Sequence, residues 1–361
     1  MGLHGRVRRG GRLPDRTGAG AVRAVRAGRR GGRTRDGAGG VLPVLLIGLL
    51  LAAPGAAQSA GDITTVPIPG TDQSIPLAWI PAGVYRVGSP EAEEGRDADE
   101  GPVRQVQLDG FWMAVHEVTV DQFAPYRHRH FDDDEGVAGP GTFDADAVTR
   151  PSPPYEDPAH GLGTGDHPAA GMTRYNALHY ARWLSLKTGR LFRLPTEAEW
   201  EAACRAGGAG GASEDPAGAL DDRAWFEANA AGTHHPVGSK SPNALGVYDL
   251  QGNVAEWVLD GYDAEAWGSL PDDAPAVAPR FGDPVRGRGV VRGGAFDDPA
   301  TRLRCAERLP ESGAWKERDP QIPKSRWWNT DAPHVGIRLV SPAGETSIDE
   351  IEAWFAGVLG G

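Results

Sequence analysis

Two glycine-centred runs constrain this chain more than anything else in it. Asp249-Leu-Gln-Gly-Asn-Val-Ala-Glu-Trp257 puts a carboxylate on each side of a glycine turn, and about forty residues later Val291-Arg-Gly-Gly-Ala-Phe296 brings a second glycine turn. Glycine lets the backbone curl where other residues resist, so both runs mark tight loops rather than regular elements. The rest of the 361-residue chain agrees: 51 Gly, 30 Pro and 11 Trp describe one loop-rich domain held by large aromatics. Periodic helix is scarce, and no repeat of 20–50 residues is visible, which argues against solenoids and propellers.

Residues 1–40 are rich in Arg, Gly and Ala without Lys and cannot bury a core, so they read as a disordered or untranslated leader. The apolar run from Val41 to Ala53 is too short to span a bilayer at roughly 20 residues per crossing. Gly55-Ala-Ala57 closes it with the small residues that signal peptidase accepts, so residues 41–57 read as a secretory signal core and cleavage region. A retained N-terminal anchor is the alternative, and no Cys follows to accept a lipid. Residues 1–60 hold 11 Arg against 2 Asp, leaving the remainder near −21. That charge repels phosphate backbones and anionic headgroups, and suits calcium or a cationic or neutral partner. The two cysteines, Cys204 and Cys305, in a chain read as periplasmic or secreted, are most economically a disulfide closing about 100 residues. Two free thiols are the alternative.

Alternating apolar residues around a Pro-Ala-Gly turn predict strands over Ile75–Ser89, and Val103–Leu108 with Phe111–Val115 predicts a second strand pair. Glu91–Glu100 between them reads as a solvated acidic loop. Thr119 caps a short helix toward Phe123, Thr173–Lys187 is a helix ending at Gly189, and Thr196-Glu-Ala-Glu199 is a capping box for a helix through Trp200 and Cys204. Residues 131–166 read as a long loop, and 345–361 as an amphipathic C-terminal helix with Ile348, Ile351, Trp354, Phe355 and Leu359 on one side.

Seven pieces in order resemble the sulfatase-modifying-factor family, that of the formylglycine-generating enzyme. They are the Trp-Ile-Pro-Ala-Gly opening at Trp79, Glu117-Val-Thr119, His167-Pro168, Arg193-Leu-Pro-Thr-Glu-Ala-Glu-Trp200, Asn243 to Asn253, Arg292-Gly-Gly294 and Val335-Gly-Ile-Arg338. The resemblance covers residues 75–341 and implies a compact α+β domain with little regular structure, related to C-type lectins. The stretches Thr149–Tyr155 and Asp319–Ser325 look like a bacterial exported branch of that family.

Formylglycine-generating members oxidise a sulfatase cysteine using copper(I) held by two thiolates just after the Gly-Gly motif, and soft thiolates are what copper(I) selects. Aligned with that segment, this chain offers Asp298 and Ala300 at or beside the two thiolate positions, with a three-residue deletion between them. Ala295 replaces the family's Ser. Cys305 matches a structural cysteine paired with one where Cys204 stands. Copper is therefore not expected. The resemblance implies calcium instead, at Asp249, Gly252, Val254 and Glu256, two side chains and two backbone carbonyls. Such a set of hard oxygens around a glycine suits that ion.

Other candidates are thinner. His128-Arg-His130 with Asp132, Asp133 and Asp134 has the elements of a two-His, one-carboxylate iron site but reads as a solvated loop, and His234, His235 and His334 lack metal-ligand spacing. Asp297, Asp298 and Arg304 are the candidates for catalysis. Two classes stay open. One is a calcium-stabilised module binding a peptide or glycan in a groove between Trp183, Trp267, Phe296, Trp327 and Trp328. The other is a modifying oxidoreductase of different chemistry, pyoverdine-maturation-like or of the non-haem-iron type. Neither involves nucleic acid, nor a membrane beyond the signal segment.

Overall fold

The computed structural model describes residues 58–128, 150–205 and 220–360. The leader at 1–40, the signal region at 41–57 and the His130–Asp134 run lie outside these described residues. The fold is α+β and sheet-rich, as expected. It opens earlier than residue 75, because β1 (Ile63–Pro67) pairs antiparallel with β2 (Ser74–Ile80).

Consecutive strands do not always stay together. β3 (Gly83–Val87) pairs with β4 (Arg104–Leu108), whereas β2 pairs with β5 (Phe111–Ala114). The expected second strand pair, β4 with β5, is thus replaced by two strands in different sheets. The physical reason is burial on both faces of β2 and β5. Leu77, Trp79, Trp112 and Ala114 face one apolar cluster, while Ala78, Ile80, Phe111 and Met113 face another. Alternation with period two puts successive side chains on opposite faces, so these strands become a partition between two cores. β11 (Val340–Pro342) completes the first sheet in the order β1-β2-β5-β11, and β7 (Ala276–Val277) adds parallel to β4. A second four-stranded sheet runs β10 (Val335–Ile337), β6 (Ala255–Gly261), β8 (Gly289–Arg292), β9 (Leu309–Pro310), with β10 and β6 parallel. Every residue of β6 is buried.

The helices form where their caps say. Thr119 and Gln122 make a reciprocal capping box for α1 (Val120–Arg127), and Thr173 caps α2 (Arg174–Thr188), which ends at Gly189 with φ 66°. Thr196 and Glu199 box the start of α3 (Glu197–Cys204). After the short α4 (Leu220–Arg223), the C-terminal α5 (Ile348–Leu359) lies against α2 with Ile351, Phe355 and Val358 buried. Ile348, expected on that face, is 45% exposed, since the first turn overhangs the contact.

Candidate functional site

The two glycine turns meet. Asp249 and Asn253 take left-handed φ values of 55° and 56°, and Gly252 one of 79°. This curl lets the Gly252 amide donate to the Gly293 carbonyl at 2.9 Å, and the Phe296 amide to the Asn253 carbonyl at 2.9 Å. A Cβ on Gly252 would stand 2.1 Å from the Trp225 carbonyl oxygen, so no other residue fits.

Beneath the turns lie three buried carboxylates and one buried guanidinium. Arg338 donates to Glu256 through Nε at 2.9 Å and Nη2 at 2.7 Å, and Trp200 Nε1 donates to the same carboxylate at 2.7 Å. Asp249 accepts the Gly238 amide on Oδ2, but its Oδ1 is buried without a hydrogen-bond partner. Glu117 accepts from the Asn253 side chain on Oε1, and its Oε2 is likewise without one. Burial first, then the nearby Asp249 charge, holds the Glu117 carboxyl well above the usual carboxylate range, and burial raises Asp249 too. Among the residues expected to ligate calcium, Asp249 therefore has an open acceptor, whereas both oxygens of Glu256 are engaged. Glu117 belongs to the cluster although nothing in its own stretch of chain points there. It stood in a recognisable motif, yet its contact to Asn253 spans 136 residues of chain.

Beside this cluster the loop after Gly294 is tied down by charge. Cys204 and Cys305 form a disulfide with Cα atoms 5.7 Å apart, as expected, and no cysteine is free. Arg292, fully buried, donates to Glu197 and Glu201 at 2.8 Å each and to the Cys305 carbonyl. Arg308 holds Glu197 from the other side through Nε and Nη2, at 2.7 and 2.8 Å. The expected catalytic trio separates. Arg304 binds Glu93, Glu100 and Glu307 and the Gly95 carbonyl, so it is an anchor for the Glu91–Glu100 segment rather than a partner of the aspartates. That segment is largely solvent-exposed, as expected, except at its C-terminal end. Glu100 is fully buried, because Arg304 neutralises it. Asp298 turns back to accept the Ala295 amide at 2.9 Å, and burial followed by the Asp297 charge raises its carboxyl. Asp297 lies 3.8 Å from His334 Nδ1. A cavity of about 550 Å³ runs along the disulfide, walled by Cys204, Cys305, Arg205, Arg304 and Glu93.

The aromatic groove does not form from the residues expected. Trp183, Trp267, Phe296, Trp327 and Trp328 are all buried, and Trp267 packs in a different apolar cluster from Trp183, Trp327 and Trp328. Large aromatic surface gains more from the interior than from a wet cleft, so these rings build the cores. His234 is buried with its Nδ1 3.1 Å from that of His167, one ring donating and the other accepting. Burial, then the two neighbouring histidines, push His234 down to about 4, so it is a neutral, structural ring at neutral pH.

An α+β domain in which a Gly-Gly loop docks on a left-handed acidic turn, over a helix stapled by a disulfide, defines the class. The model of the sulfatase-modifying factor enzyme 1-like domain matches residues 68–319, and the chain belongs to that family. A formylglycine-generating enzyme of Thermomonospora curvata is 30% identical over 280 residues, covering 66% of this chain and 90% of that one. The serine/threonine-protein kinase Pkn1 of Chlamydia trachomatis is 31% identical over 241 residues, covering 64% of this chain, which spans only 35% of the kinase's length. Among solved structures, PvdO of Pseudomonas aeruginosa shares the fold with a TM-score of 0.57 at 24% identity, covering 79% of this chain and all of that one.

Proposed function

We propose that this chain is an extracytoplasmic, calcium-stabilised binding module of its family, taking a peptide or glycan and not generating formylglycine. One observation carries the reading: both cysteines of the chain are consumed by the Cys204–Cys305 bridge, which leaves no pair of thiolates for copper(I). The bridge also fits an oxidising compartment outside the cytoplasm. Calcium is supported by the buried Oδ1 of Asp249, which no donor reaches, and by the raised Glu117 carboxyl beside it, while the resemblance adds the carbonyls of Gly252 and Val254. Glu256 would have to share an oxygen with Arg338 to join them, and Glu117 is the carboxylate better placed to add charge. Calcium there would supply positive charge in place of a proton, holding the turn in shape.

The test is incubation of a Cys-x-Pro-x-Arg peptide with the protein, copper, oxygen and a thiol reductant. The peptide should stay unmodified by mass spectrometry. Aldehyde that disappears in Cys305→Ala would make Cys305 catalytic and overturn the reading. A modifying enzyme of other chemistry, pyoverdine-maturation-like or of the non-haem-iron type, is favoured by the approach of Asp297 to His334 next to the raised Asp298. Aldehyde that persists in Cys305→Ala would move the function to that trio.

A further inference from the structure

A second cavity, of about 270 Å³, opens between α1 and the loop of residues 164–172. Its floor is apolar, made by Phe123, Ala169, Ala170, Met172 and Trp328, all buried. Its charged wall is Arg127, whose guanidinium carbon sits 5.1 Å from the centre of the Trp328 ring. Arg127 Nε is buried without a hydrogen-bond partner, and among the described residues no carboxylate lies within ion-pair distance of the side chain. Asp157 is near enough to act on it electrostatically, without bonding it, and Asp121 is exposed at the rim. Arg292, Arg308 and Arg338 each have a carboxylate of their own, and Arg174, buried like them, is held by the carbonyls of Asp260 and Gly287.

A half-buried guanidinium laid over an aromatic face, with an apolar chamber in front of it, has no anion bonded to it among the described residues. The chamber is smaller than most drug-sized sites, so the ligand's apolar body is about one side chain. We propose that this cavity binds a small apolar carboxylate, its acid group paired with Arg127 and its apolar body against Phe123, Met172 and Trp328. A peptide C-terminus ending in an aromatic residue and a free aromatic acid present the same chemistry. The inference rests on the binding-module reading and names a ligand class for it. It is separately testable, because aldehyde formation in the sulfatase-peptide assay would remove that reading without altering the carboxylate preference of this pocket.

The experiment titrates the whole folded domain with four probes by calorimetry: 3-phenylpropionate, 3-phenylpropionamide, N-acetyl-Gly-Gly-Phe with a free C-terminus, and the same peptide amidated. At least one acid should bind about tenfold or more tighter than its amide, as a charge-assisted pair implies. Arg127→Gln should abolish that preference and Arg127→Lys should keep most of it, which separates loss of charge from loss of fold. Preference for the peptide over 3-phenylpropionate would assign the pocket to chain termini, and the reverse to free acids. Equal binding of acids and amides, no binding of any probe, or an unchanged preference in Arg127→Gln would overturn the proposal.

Discussion

The amide of Gly252 donates to the carbonyl of Gly293 at 2.9 Å, so the two glycine turns of this protein are one structural unit. Whatever perturbs the acidic turn is felt in the Gly-Gly loop and, through Arg292 and the Cys305 carbonyl, at the disulfide.

That coupling makes Gly252 the most sensitive backbone position. Gly252→Ala places a methyl group against the Trp225 carbonyl, in a left-handed conformation that by itself costs about 1–2 kcal/mol. We expect a loss of more than about 2 kcal/mol in denaturant unfolding. Gly357→Ala is the contrasting control. It lies inside α5 with nothing near its missing Cβ, and should gain about 0.5–1 kcal/mol. Equal effects at the two positions would show that the turn tolerates rearrangement.

The Arg292 pairing with Glu197 and Glu201 is fully buried on both sides. Arg292→Met leaves Glu201 with Arg205 alone and removes one of the two arginines on Glu197, so the carboxylates remain in the interior with less compensation. A loss of about 3–5 kcal/mol is expected. A change below about 1 kcal/mol in a urea titration would mean that water reaches the cluster.

Calcium and protons should compete at the acidic turn. Glu117 and Asp249 have raised carboxyls, so the folded state holds protons that the unfolded chain has already released, and stability without metal falls as pH rises through that window. Calcium at one hundred times its Kd should stabilise the fold by about 2.7 kcal/mol, and it should raise the melting temperature more at pH 8 than at pH 5. Asp249→Asn should remove the response. Identical melting curves in calcium and in chelator at both pH values would rule the ion out.

His234 predicts the opposite slope over a lower window. Its folded value of about 4 lies below the ordinary 6.5, so the unfolded chain takes up a proton that the fold refuses. Stability is complete above pH 6.5 and declines as pH falls toward 4, by up to about 3 kcal/mol. Replacing it, in His234→Asn, should flatten that part of the profile measured by chemical denaturation at several pH values. A wild-type profile with no slope there would show that the ring is wet.

Much of this molecule was written locally. Thr119, Thr173 and Thr196 each close a hydrogen bond to an amide three residues on, and Gly189 stops α2 in the left-handed region. Interactions of such short span need no partner from elsewhere, so the sequence by itself determined where these helices begin and end. The ordered string of motifs was enough for the α+β class, the family and the pairing of Cys204 with Cys305. What only the tertiary structure decided are the contacts whose energy depends on a distant partner. Arg304 turned the acidic segment into an anchored one, Arg338 claimed Glu256, and Glu117 arrived beside Asp249 from a remote strand-to-helix corner. The aromatics expected at a groove went inside for the same reason. An aromatic ring or a carboxylate carries no address in its own neighbourhood, and its role is set by burial and by the charges the chain path brings to it.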